Sequence, residues 1–201
     1  MNFTITIARE YGSGGRFIAA MVAKKLGIAF YDKSLILEES SNIGINPIDM
    51  EVFDEEQSAF YLPAMNNSPV LDLEFSQKSY MASLKTIQMI AATKSSVIVG
   101  RCADYILADD PDSLLRVFIY APMESKIKRG IKYYGLSKAY AVAKQEIEKN
   151  DHRRKKYYNF ITDGEWGNPK QYDLMINSDI GIDAAVEAIV AAAEKKFNIK
   201  K

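Results

Sequence analysis

The chain has 201 residues, 48% of them hydrophobic and 26% charged, with 26 Lys and Arg against 26 Asp and Glu. This length suits one good buried core, alone or with a small lid, and the balanced charge implies no global attraction to nucleic acid or to a membrane surface. Cys102 is the single cysteine, so no disulfide can form within the chain, and with no long apolar run and a strand right at the N-terminus the expectation is a cytoplasmic protein without a signal peptide.

Phe3, Ile5 and Ile7 alternate with Thr4 and Thr6, which predicts a buried strand. Gly12-Ser13-Gly14-Gly15 follows, and then a helical pattern from Phe17 to Leu26 that stops at Gly27. Strand, glycine-rich turn and helix make a phosphate cradle. Glycines let several N–H groups point at one anion, and the helix N-terminus adds partial positive charge. Arg9 and Arg16 bracket the turn with fixed cations. A tight turn that binds nothing is the plainer reading, but it does not require three glycines and two flanking arginines. The usual P-loop ends Gly-Lys-Ser/Thr, whereas here the triplet is Gly14-Gly15-Arg16, without the lysine or the metal-binding hydroxyl.

Ile28 to Tyr31 reads as a second strand ending on Asp32, with a helix over Lys33 to Ser41. An acidic excursion spans about 42–75, within a stretch between Lys33 and Lys78 that contains no Lys or Arg and carries acidic residues from Glu38 to Glu74. Asn46-Pro47 reads there as a helix start, and Pro63, Asn66, Asn67 and Pro69 as a loop. A solvated acidic surface is its first reading, and an interaction patch or homodimer contact its second. Ser76 to Lys94 is predicted helical, Val97 to Val99 a doubly buried strand ending at Gly100-Arg101, and Leu114 to Tyr120 a strand stopped by Pro122. Helices follow from Met123 and over Tyr140 to Lys156, then a strand over Asp173 to Asn177 and a closing helix capped by Asp183. Five strands separated by helices predict one three-layer α/β domain over 1–201.

Ligands in open parallel sheets sit beyond the C-terminal strand ends. Those ends carry Arg9, Glu10 and the glycine loop, Asp32, and Gly100-Arg101. The basic stretch of about 123–160 predicts a mobile helical lid, with few large apolar residues after Ile131 to hold it down. Its Arg129, Arg153 and Arg154 would close over transferring charge. An RNA-binding surface is the weaker reading, because aromatic residues there are few. His152 is expected at the surface, Cys102 as a buried thiol, and Trp166 as a packing residue.

Arg9 to Arg16 (REYGSGGR), Gly27 to Asp32 and Val97 to Arg101 together resemble the cytidylate kinase-like family of P-loop nucleoside monophosphate kinases. So do Arg153 to Tyr158, Glu165 to Gly167 and Tyr172 to Leu174. The resemblance implies a three-layer P-loop kinase fold with a parallel sheet in the order 2-3-1-4-5, an acceptor-binding excursion and an arginine-bearing lid. It also implies transfer of the ATP γ-phosphoryl group to CMP or dCMP, with ATP and Mg²⁺ as cofactors. Such kinases carry a lysine where this chain has Gly15, and here Cys102 follows Arg101 with Asp104 the nearest carboxylate. On this reading Arg9, Gly12, Ser13, Gly14, Gly15 and Arg16 hold phosphate, and Arg101 holds the acceptor. Asp32 orients the acceptor phosphate or a Mg²⁺-bound water, and Arg16, Arg129, Arg153 and Arg154 neutralise the transferring group. The expected partners are nucleotide substrates, with no nucleic acid and no membrane. A nucleotide-binding sensor or regulatory module without efficient catalysis is the alternative.

Overall fold

The computed structural model describes residues 2–46, 69–162 and 164–199, with residues 69–79 as backbone alone. Strand β1 (Thr4–Arg9) lies at the centre of a five-stranded sheet. β3 (Ser96–Val99) flanks it on one side and β4 (Leu114–Tyr120) on the other, with Ile5 opposite both Val97 and Leu115. β2 (Ala29–Tyr31) and β5 (Leu174–Asn177) form the edges, all pairs are parallel, and the order is β2-β3-β1-β4-β5. Parallel neighbours need helical crossovers, and these place helices on both faces.

On one face Ile5, Ile7, Val97, Val99, Val117 and Ile119 pack against α1 (Gly15–Leu26) and the C-terminal α7 (Ile182–Phe197). On the other, Tyr31 and Ile98 pack against α2 (Lys33–Asn42), α3 (Pro69–Thr93) and the single turn α4 (Ala103–Ile106). The strands are apolar on both sides because both sides are covered. Among the described residues no helix is long and apolar enough to cross a membrane.

Several boundaries differ from expectation for local reasons. α1 begins at Gly15 rather than Phe17, because the left-handed Gly14 ends the turn immediately before it. α3 begins at Pro69, which had been read as loop; proline is well suited to a first helical turn, where its missing N–H costs nothing. α7 takes Gly181 as its N-cap, and Asp183 lies one step inside, where its charge complements the helix dipole. Pro47, the first turn of the helix expected after Asn46, and the acidic cluster of Asp49 to Glu56 fall outside the described residues.

α5 (Met123–Tyr133) and α6 (Tyr140–Ile161) form the predicted basic pair, with α6 running beyond Lys156. They are better anchored than their charge suggests. Ala143 and Ile147 of α6 are fully buried against Ile127 and Tyr11, and Tyr157 and Tyr158 are buried further along. The anchoring residues are spaced widely among lysines and glutamates, so they leave little periodic signal. Ile147→Ala is expected to destabilise the protein by about 2–5 kcal/mol and to lower amide protection in α6 before the strands, measured by denaturation and hydrogen exchange. Unchanged stability would mean that α6 is not held through this contact.

Candidate functional site

The glycine loop is braced from outside. Ser13 is folded inward, its hydroxyl donating to the Glu10 carbonyl at 2.8 Å. Arg129 of α5 donates to the carbonyls of Gly12 (3.5 Å) and Ser13 (3.4 Å), and to the hydroxyl and carbonyl of Ser178 (3.2 and 3.3 Å). The Ser178 hydroxyl in turn donates to the Ser13 carbonyl at 2.6 Å. Because a trans peptide points its C=O and N–H in opposite directions, pinning the Ser13 carbonyl on this side turns the Gly14 N–H to the other. Gly14 sits at φ 81° and caps α1 without any side-chain hydrogen bond. The first N–H groups of α1 have no acceptor within their own helix, so the loop offers donors and a positive helix end to an anion.

Behind the loop, Lys126 is buried between two carboxylates. Its ammonium lies 3.1 Å from Glu10 and 2.9 Å from Asp151. Asp151 also accepts the Tyr11 N–H at 2.6 Å, and Glu10 accepts the Ala121 N–H at 3.2 Å. Burial pulls the Lys126 pKa down, but Asp151 and Glu10 outweigh it and hold the pKa above the usual lysine value. Sequence reasoning counted Lys126 in a basic helix pair that is mostly solvated, set Asp151 apart with Arg153 and Arg154 in a cluster beside the lid tip, and left Glu10 without a role. No local pattern joins three charges so far apart in the chain.

On the other flank Arg154 donates to the Arg9 carbonyl at 3.0 Å and lies over the Tyr11 ring, 5.6 Å from its centroid. Arg9, Arg101, Arg154, Gly100, Asp104 and Tyr158 border a cleft of about 20 Å³, room for roughly one water. Gly100, Arg101 and Cys102 are successively left-handed, with φ 76°, 58° and 53°. Each of the two non-glycine residues costs about 1–3 kcal/mol in that region. The buried Arg101 and the packing of Cys102 against Tyr157 and Tyr158 hold the turn in place. Asp104 is buried and accepts the Tyr158 hydroxyl at 2.9 Å. Burial raises its pKa; Tyr158, nearby backbone N–H groups and Arg116 oppose that rise without cancelling it.

Arg16 and Asp32 come together, though not in the way expected. The Arg16 guanidinium holds one Asp32 oxygen at 2.7 and 2.6 Å. The other oxygen caps α2, accepting from the Ser34 N–H and hydroxyl and the Leu35 N–H at 3.1, 2.8 and 3.2 Å. Asp32 is therefore a helix cap and the counter-ion of Arg16, because the nearest fixed charge to Arg16 is this carboxylate. With both oxygens taken and Arg16 standing where a P-loop hydroxyl would be, the residues do not fit a Mg²⁺ held at Asp32. Arg153 is half-buried and lines neither the cleft nor the cavity described next, whereas its neighbour Arg154 borders the cleft.

A larger cavity of about 630 Å³ opens between α1 and α5, lined by Gly14, Phe17, Phe30, Arg129, Lys132 and Tyr133 among others. Sequence reasoning missed it. In the structure Phe17 and Tyr133 stand exposed at its rim, at 60% and 64%.

The β2-β3-β1-β4-β5 parallel sheet with a braced glycine loop between β1 and α1 is the fold of P-loop kinases. Residues 4–180 match the cytidylate kinase-like family, and the chain belongs to it. The chain is 28% identical to an uncharacterized protein from Eubacterium ventriosum ATCC 27560, with a TM-score of 0.75 over 97% of this chain and 99% of that one. Shikimate kinase from Bacteroides thetaiotaomicron superposes with TM-score 0.55 at 14% identity, over 96% and 98% of the two chains. A gluconokinase from Sinorhizobium meliloti 1021 gives 0.51 at 13%, over 96% and 92%. At these last identities the likeness concerns the fold. No curated protein matches the chain significantly.

Two carboxylates give opposite pH signatures. Burial raises the Asp32 pKa, but Ser34, Leu35 and Arg16 together lower it below the usual aspartate value. Its contribution is thus present above the unfolded pKa of about 3.9 and is lost as pH falls through the lower folded value. Asp32→Ala should cost about 1–2 kcal/mol at pH 7, a penalty that shrinks below about pH 4 in pH-dependent denaturation. Asp104 has a raised pKa, so its burial penalty appears as pH rises past about 3.9. Asp104→Asn keeps an acceptor for Tyr158 and should melt at or above the wild-type temperature at pH 8, with the difference closing near pH 3. An Asn variant that melts lower at pH 8 would show that the ionised carboxylate stabilises the fold.

Proposed function

We propose that the protein is an ATP-dependent phosphotransferase that moves the γ-phosphoryl group to CMP, dCMP or a related small acceptor. The observation that carries this reading is the braced glycine loop, its donors turned away from Arg129, beside a cleft bordered by Arg9, Arg101 and Arg154. Phosphoryl transfer asks chiefly for positioning and charge neutralisation, and these are what such a site supplies. The donor phosphates lie on the N–H groups of the loop and the N-terminus of α1, with the donor base toward the aromatic and cationic cavity beside Arg129. The acceptor lies toward Arg101 and Arg154. An acceptor oxygen bonds to the γ-phosphorus as the bond to the bridging oxygen breaks, and ADP leaves with that electron pair.

Mg²⁺ enters as part of the MgATP substrate and neutralises phosphate charge there; the residues at Asp32 do not hold it. The cleft in its present form admits about one water, so acceptor binding requires the Arg9 and Arg154 side chains to swing aside. The absence of a P-loop hydroxyl and the engagement of Asp32 by Arg16 favour the second reading, a nucleotide-binding module without efficient catalysis. A coupled assay of ADP release separates the two. It should include each nucleoside monophosphate, and also shikimate and gluconate because proteins of like fold are kinases of that kind. Turnover is expected with CMP or dCMP above the rate without acceptor. ATP binding with no turnover on any acceptor would establish the module and overturn the kinase.

A further inference from the structure

The glycine loop departs from the standard P-loop at three positions, Arg9, Gly15 and Arg16, and the structure connects the first two. In the pattern Gly-x₄-Gly-Lys-Ser/Thr, with Gly14 as the second glycine, the first glycine falls on Arg9 and the lysine on Gly15. This chain thus carries a cation where the motif has glycine, and glycine where the motif has the cation. A Cβ placed on Gly15 would lie 2.6 Å from the Arg9 Cβ and 3.1 Å from its Cγ. Gly15 is the first residue of α1, where any side chain suits the backbone, so what excludes a side chain is the stem of Arg9. Further out, the Arg9 guanidinium passes directly over Gly100, at the C-terminal end of β3, in the space a side chain there would fill. Two neighbours without side chains therefore clear the path of this one arginine.

We propose that Arg9 and Gly15 are a reciprocal exchange of the P-loop's glycine and lysine, and that the Arg9 guanidinium is the cation that contacts the ATP phosphates. This rests on the reading of the loop as an ATP-phosphate site. The geometry makes the two positions mutually exclusive: a β-carbon at both cannot be accommodated, so a lysine at 15 needs glycine at 9, and an arginine at 9 needs glycine at 15. Arg16, the other cation at the loop, is held by Asp32, and Arg129 is directed to the loop's carbonyls. Arg9 starts at the end of β1 instead of on the helix, and its guanidinium lies at the C-terminal end of β3. A guanidinium offers a planar fork where an ammonium is a point charge, so it can bridge oxygens of neighbouring phosphates.

The test uses the full chain and two readouts, melting temperature without ligand and affinity for ATP by calorimetry. Arg9→Met keeps the stem and removes the charge. It should weaken ATP binding by about tenfold to a hundredfold, with its own melting temperature as the baseline for stability. Gly15→Lys should lower the melting temperature by about 3–10 °C through its clash with the Arg9 stem. Adding Arg9→Gly to Gly15→Lys removes the clash and restores a cation, so the double variant should recover most of both losses. Strictly additive effects on the melting temperature would overturn the exchange. Arg9→Met binding ATP as the wild type does would overturn the phosphate role while leaving the nucleotide reading intact. A wild type that binds no ATP, with the Gly15–Arg9 coupling still present, would overturn the nucleotide reading and the phosphate role with it.

Discussion

Much of the site hangs on one ammonium group. Lys126 projects from the first turn of α5 into a space closed by Glu10 from the glycine loop and Asp151 from α6. Removing one member of such a buried set leaves the others' charge unpaired, typically at a cost of about 3–5 kcal/mol. The same pair of carboxylates also receives the N–H groups of Tyr11 and Ala121. The loop, the end of β4 and the middle of α6 are thus held in one arrangement. The loop approaches α5 closely enough that a Cβ on Gly12 would lie 2.8 Å from the Lys126 carbonyl. Any lid movement has to occur beyond this joint, toward the exposed Tyr133 and Tyr134, because the joint itself and Ile147 beside it are buried.

The arginines that look alike in the sequence separate into distinct uses once they are placed. Arg129 braces the loop through its carbonyls, and Arg16 neutralises the cap of α2. Arg101 is buried beneath a strained turn, while Arg9 and Arg154 border the cleft in front of the strands. Arg153 stands apart. A count of guanidinium groups near a glycine loop is therefore a poor count of phosphate ligands. What matters is which of them already have a structural acceptor.

The frame was legible because its signals are local. Alternation in β1, the apolar run of β3 and the stop at Gly27 each depend on neighbouring residues, and the glycine loop stands where strand passes into helix. The sheet order came from the resemblance to a family, since no periodicity encodes which strand lies beside which. The misjudged parts depend on contacts that no single local pattern announces. Asp32 ends a strand and looks like a free carboxylate until α2 and Arg16 claim its oxygens. Ala143 and Ile147 are two apolar residues in a helix crowded with charge, and the cluster with Ile127, Tyr11, Met123, Ile131 and Leu136 makes them an anchor.

The end of β3 concentrates features that local energetics disfavour. Three residues in succession are left-handed, two of them with side chains, and a carboxyl whose pKa is raised by burial follows within the same turn. Neighbours hold all of this in place: the Tyr158 hydroxyl on Asp104, and the ring packing of Tyr157, Tyr158 and Trp166 around Cys102. On local energetics alone, glycine would relieve the strain at Arg101 or Cys102, and a neutral acceptor at 104 would avoid burying a carboxyl while keeping the Tyr158 hydroxyl partnered. The turn instead keeps Arg101 buried at the strand end nearest the Arg9 guanidinium. Strain held by a ring of aromatic residues, at the C-terminal edge of a parallel sheet and beside an anion cradle, is where a site is expected to accept a cost in stability.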